Sequence, residues 1–183
     1  MTGPHWKRKE GSPITVITYQ SRIVLKILQS GKVYRAHRNL TFDRAYSALV
    51  DILGLDCECP VFGTLKNRRK CTNGKVSSSV KLTLEIPDEK VKLTEYSVWA
   101  DFINEIQYSM PNNYKRVSPD GQEAITQHRY TQIIHHLQKQ KKPGQYRVPQ
   151  AVFEEIRPEW LVKYEIPVAD GIIERIVNRF RKK

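Results

Sequence analysis

No stretch of this 183-residue chain approaches the roughly 20 consecutive apolar residues needed to cross a bilayer. The basic opening, "MTGPHWKRKEGSP", is not followed by an apolar stretch long enough for a signal peptide, so the expected location is cytoplasmic. Cysteine is scarce: Cys57, Cys59 and Cys71 form C-E-C with a distant third thiol. Structural zinc calls for four ligands at C-x2-4-C spacing, so ordinary reduced thiols and no metal site are expected. His135 and His136 are adjacent and do not form an i,i+4 pair. Neither G-x-G-x-x-G nor G-x-x-x-x-G-K-[ST] occurs, which excludes a Rossmann cofactor fingerprint and a P-loop. H-E-x-x-H and G-x-S-x-G are missing too, which argues against a zincin and an α/β-hydrolase.

Acid is the charge in short supply. Nineteen Asp and Glu stand against 31 Lys and Arg, giving a formal net charge of +12. Such an excess points to a polyanionic partner, nucleic acid before membrane, although it also serves plain solubility. The cations gather in "KRK" (7–9), "KNRRK" (66–70), "KQKK" (139–142) and "RFRKK" (179–183). Lys66, Arg68, Arg69 and Lys70 are the expected nucleic-acid contacts, because flexible cations suit phosphates and do not read bases.

Length and an apolar fraction of 39% support one domain with a real core. Residues 1–13 read as a disordered leader and 14–183 as a single domain. Within it, a mobile basic loop is expected at 66–79 and a polar helical insertion at 111–145. "ITVITYQ" (14–20) alternates as a strand. Ser21 then caps "RIVLKILQS", whose Ile23, Val24, Ile27 and Leu28 recur at helical spacing until Gly31. "VYRAH" (33–37) reads as a short strand, and "NLTFDRAYSALVDILGL" as a helix capped by Thr41 with Ala45, Leu49, Ile52 and Leu53 on its apolar face. Strands follow at 59–65 and 80–87, where Val80, Leu82, Leu84 and Ile86 share one face. A turn, a brief extended piece and a helix around Trp99 come next, and a polar helix ends at Pro143-Gly144. The mixed order of strands and helices predicts an α+β fold of small mixed or antiparallel sheets flanked by helices.

The segment "YRVPQAVFEEIRPEWLVKYEIPV" (146–168) poses the functional question: Glu154 and Glu155 interrupt an otherwise apolar strand. Alternation sends them to opposite faces, so at most one enters a cleft. An edge-strand acid facing water is the plain reading of either.

Several segments resemble a bacterial and phage family of domains of unknown function. They are "T-Y-Q", "L-Q-S-G-K-V-Y-R-A", "F-D-R-A-Y", "L-E-I-P-D-E-K-V-K-L" and "Q-A-V-F-E-E-I-R-P-E-W", spanning about residues 14–165. The chain departs from it at "P-V-F-G-T-L", where a Trp-rich strand is expected, and at Phe153-Glu154-Glu155 in place of F-W-E. The order of a polar-ended first strand, a short helix closing on Gly and a late Glu-bearing strand also looks like the ADP-ribosyltransferase-like fold, an analogy of architecture only. That likeness implies an NAD-consuming enzyme, a toxin or phage-defence effector modifying nucleic acid, with an antitoxin or chaperone as a further partner. Glu155 would then be the catalytic carboxylate, with Glu154 as the alternative. Thr18, Gln20, Tyr34, Arg35 and Gln150 would bind NAD. A carboxylate there would stabilise the cationic ribose and deprotonate the acceptor. The competing reading is a non-enzymatic basic module that binds nucleic acid or a partner protein.

Overall fold

The computed structural model describes residues 11–38, 40–66, 79–104 and 131–166. The leader at 1–10, the basic loop at 67–78 with Arg68, Arg69 and Lys70, most of the expected insertion and the segment after 166 lie outside the described residues. The elements are β1 (Ile14–Gln20), α1 (Arg22–Gln29), β2 (Tyr34–Arg35), α2 (Asp43–Leu53), β3 (Val61–Leu65), β4 (Val80–Ile86), β5 (Lys92–Glu95) and α3 (Tyr96–Asn104). After them come α4 (helical at 131–138), β6 (Pro149–Phe153), β7 (Glu155–Ile156) and β8 (Leu161–Glu165). The fold is α+β.

Six strands form an antiparallel sheet in the order β5-β6-β3-β1-β4-β8. Alternation sets its faces. Ile14, Val16 and Thr18 of β1 stand opposite Ile86, Leu84 and Leu82 of β4. All of these but the polar Thr18 share a core with Val24, Leu25 and Leu28 of α1, with Phe153 of β6, and with Ile156 and Trp160. The apolar stripe of α1 is therefore rotated by one position from the sequence reading: Leu25 is buried and Ile23 is exposed. Positions 24, 25 and 28 form the i, i+1, i+4 face that a helix lays on a sheet.

On the opposite face, Phe62 of β3 and Val152 of β6 meet Ala45 and Leu49 of α2, Trp99 and Phe102 of α3, and Leu137 of α4. Trp99 stacks on Tyr46, Phe62 and Phe102, with ring centroids 5.9, 5.4 and 5.6 Å away. Gly54 ends α2 in the left-handed region, with φ 63° and ψ 48°, and the Leu55 N–H donates to the Val50 carbonyl at 3.0 Å.

Two more polar locks fix the β5–β6 edge. The Glu95 carboxylate accepts the backbone N–H groups of Arg147 and Val148 at 2.7 and 2.9 Å. The buried Tyr146 hydroxyl donates to the Leu93 carbonyl at 3.0 Å and accepts the Lys141 N–H at 2.9 Å.

The chain leaves the main sheet at Glu154. β7 then pairs antiparallel with β2 in a separate two-stranded sheet, Tyr34 opposite Ile156 and Arg35 opposite Glu155. The two adjacent acids thus sit at a bend between two sheets, not within one continuous strand.

Candidate functional site: a buried carboxylate between two arginines

The register of β2 on β7 puts the Arg35 guanidinium beside the Glu155 carboxylate, and a second arginine arrives from Glu155's own strand. Residues two apart on an extended chain share a face, so Glu155 and Arg157 project together. Glu155 Oε2 accepts from Arg35 Nε at 3.0 Å and Oε1 accepts from Arg157 Nε at 2.6 Å. Glu155 is only 7% exposed. The guanidinium side chains are much more open, 65% for Arg35 and 42% for Arg157. Pro158–Trp160 forms a 3-10 turn that brings the Trp160 ring under Arg157, with the guanidinium carbon 5.7 Å from the ring centroid. A cation over an indole face gains from the ring quadrupole.

Burial works to raise the Glu155 pKa, but the hydrogen bonds from Arg157 and Arg35 and their positive charges outweigh it, and the carboxyl is held below its ordinary range. The sign of the linkage follows. The stabilisation is fully present above the ordinary glutamate range and is lost as pH falls through the depressed folded value.

The remaining neighbours are mixed in charge. Glu154 Oε1 accepts the Asp56 N–H at 2.9 Å, which ties the loop after α2 to the bend after β6. Cys57 in that loop is pushed up to about 11, first by burial and then by the charges of Glu154, Cys59 and Asp56, with Arg35 opposing. It is a protonated, unreactive thiol at neutral pH. The Tyr34 hydroxyl is also raised, by burial first and Cys59 second. Among the described residues no group of three or more His, Cys, Asp or Glu side chains is placed to hold a metal ion.

The other residues singled out by sequence occupy different surroundings. Thr18 is buried, and its hydroxyl donates to the Phe62 carbonyl at 2.7 Å. Gln20 Nε2 donates to Thr18 Oγ1 at 2.8 Å. Both therefore serve the β1–β3 junction, and among the described residues no hydrogen bond or ion pair joins either to Glu155. Gln150 is buried on β6 between Thr64 and Thr94, with Oε1 accepting from Thr94 Oγ1 at 3.4 Å. It shares the Val152 face of the sheet, whereas Tyr34 and Ile156 pack into the core on the other face. Lys66 is exposed just beyond β3, its backbone N–H donating to the Thr15 carbonyl at 3.0 Å.

The structure thus brings together Arg35 and Glu155, with Glu154 alongside, while Tyr34, one residue away on β2, turns its side chain to the core with Ile156. It adds Arg157 and Trp160, which the sequence reading missed. The i,i+2 spacing of Glu155 and Arg157 was the signal that could have found the second arginine. No protein-family model, curated protein or solved structure matches the chain.

Proposed function

We propose that the protein is a basic nucleic-acid-binding module whose fixed phosphate contacts are Arg35 and Arg157. One observation carries this reading: a single buried carboxylate holds both guanidiniums through Nε. Among the described residues the Arg35 Nη groups have no hydrogen-bond partner, and Arg157 Nη1 has only a long ion-pair contact with Glu159 Oε1, 3.8 Å away. A guanidinium pinned through Nε keeps its Nη edge for an oxyanion and has already lost its rotamer freedom, so binding costs less entropy. The net charge of +12 supplies long-range attraction to a polyanion. Because Glu154 and Asp56 stand beside the clamp, phosphate recognition rests on two directed contacts and not on a uniformly positive patch.

Anisotropy of a labelled single-stranded oligonucleotide, titrated at several salt concentrations, tests this. Arg35→Ala and Arg157→Ala should each weaken binding about tenfold and each lower the slope of log K against log salt by about 0.7, the single-strand value per phosphate contact. A double variant with wild-type affinity and slope would overturn the clamp.

A second reading is favoured by the burial of Glu155 beside Arg35: transfer of ADP-ribose from NAD to an acceptor, the chemistry of a toxin or phage-defence effector. Arg35 would hold the pyrophosphate and Glu155 a ribose hydroxyl. The C1′–N bond breaks, nicotinamide leaves with the bonding pair, and the acceptor's oxygen or nitrogen adds to C1′ and gives up its proton. Both Glu155 oxygens already accept from guanidiniums, so one of those bonds would have to yield to the ribose. Labelled NAD with RNA, DNA or protein acceptors decides this reading: label transfer that Glu155→Gln abolishes supports it, and no transfer in wild type ends it.

A further inference from the structure

We propose that β8 is the contact through which two copies of this chain associate, their sheets joining edge to edge about a two-fold axis through Tyr164. Among the described residues, β8 is the last strand in the sheet order and pairs on one side only, with β4. An open edge offers a row of backbone donors and acceptors to another strand, and proteins usually blunt such edges with lysine, proline or a bulge. Here the protection is incomplete. The register slips between Thr83 and Leu84, leaving Val162 as the extra residue, but Lys163 and Tyr164 keep regular partners in Thr83 and Leu82. The one lysine on the strand, Lys163, lies 3.1 Å from Glu165 Oε1, a carboxylate it shares with Lys81 of β4, whose Nζ donates to both oxygens at 3.1 Å.

The apolar surface is concentrated on the same strand. Val162, Tyr164 and Ile166 are 58%, 45% and 47% exposed, and they are half of the large exposed apolar side chains among the described residues. They alternate with Lys163 and Glu165, so one side of the strand is apolar and the other carries one charge of each sign.

Self-complementarity selects the second copy as occupant and fixes the register. A two-fold axis through Tyr164 sets Lys163 of each copy against Glu165 of the other, Val162 against Ile166, and Tyr164 against itself. Opposite charges and apolar pairs then face each other at every position. A two-fold axis through Lys163 would set lysine against lysine and Leu161 against Glu165. A slip to that register is penalised by like charge and by exchanged polarity. The pairing would extend each six-stranded sheet into the other.

Sedimentation of the full chain over a concentration series, with far-UV circular dichroism as a check on folding, tests the contact. Wild type should move from monomer to dimer as concentration rises. Lys163→Glu sets acid against acid and Glu165→Lys sets base against base, so each alone should raise the dimer dissociation constant about tenfold or more. Mixed in equal amounts, the two variants should recover a heterodimer of wild-type affinity, because each then opposes the other's charges. A wild type that stays monomeric throughout, variants that dimerise as well as wild type, or folded variants whose mixture stays monomeric would overturn the proposal.

Discussion

Trp99→Ala should lower the unfolding free energy by about 4 kcal/mol, within the range for truncating a buried aromatic side chain. Trp99 is nearly fully buried and stacks on three rings from three different elements: Tyr46 of α2, Phe62 of β3 and Phe102 of its own helix α3. Its removal leaves a cavity between the sheet and two helices, and these rings cannot close it without moving the elements that carry them. The ring contacts add to the area term, since offset aromatic pairs contribute about 0.5–1.5 kcal/mol beyond burial. Trp99→Phe keeps a ring in place and should cost less than half as much. Urea unfolding followed by circular dichroism measures both. A loss below about 1 kcal/mol for the alanine variant would mean that α2 and α3 are not anchored to the sheet through this residue.

Gly63→Ala should cost about 2–3 kcal/mol, an overpacking effect in the middle of the sheet. A Cβ at Gly63 would overlap Val16 Cγ1 and stand 3.0 Å from the Ile17 carbonyl oxygen. Val16 is wholly buried and β-branched, so its rotamer has little room to change. Alanine's lower backbone entropy in the unfolded chain returns only about 0.4–1 kcal/mol. The thermal midpoint should therefore fall by roughly 4–12 °C. The cause is checked by coupling: Val16→Ala clears the overlap, so the double variant should lose clearly less stability than the two single losses added together. Simple additivity would show that the two positions do not touch.

Much of this fold is written in local pattern, and the exceptions have physical causes. β1 and β4 were legible because both alternate cleanly and each buries a single face. Gly31 was legible as a stop, with φ of 76°, whereas Gly54, with φ of 63°, was read as part of the helix segment it ends. The stripe of α1 was misjudged by one position, because five apolar residues within Ile23–Leu28 leave the buried direction open until the sheet chooses it. The strand expected over 33–37 shrinks to Tyr34–Arg35, since its only partner among the described residues, β7, is two residues long.

The site was legible only in part. Glu155 drew notice as an acid in an apolar run, and Arg35 as a cation beside Tyr34, but their separation of 120 residues hides the pair from any local rule. Thr18, Gln20 and Gln150 were chosen for their hydrogen-bonding groups. In the structure those groups answer to the sheet, where a buried hydroxyl or amide must find an internal partner. The bend at Glu154 could not be read at all, because a strand that changes sheets looks in sequence like a strand that continues.

The central claim, that Glu155 acts by holding two arginines ready for phosphate, makes a prediction opposite in sign to charge counting. Glu155→Gln removes a negative charge from a chain that already carries +12, so a chain that binds by net charge alone would grip a single-stranded oligonucleotide more tightly. If Glu155 fixes the guanidiniums, the same substitution frees them and should weaken binding about tenfold, close to the loss from either arginine alone. Weaker binding by a folded Glu155→Gln protein is the predicted result. Affinity equal to or above wild type would contradict the account.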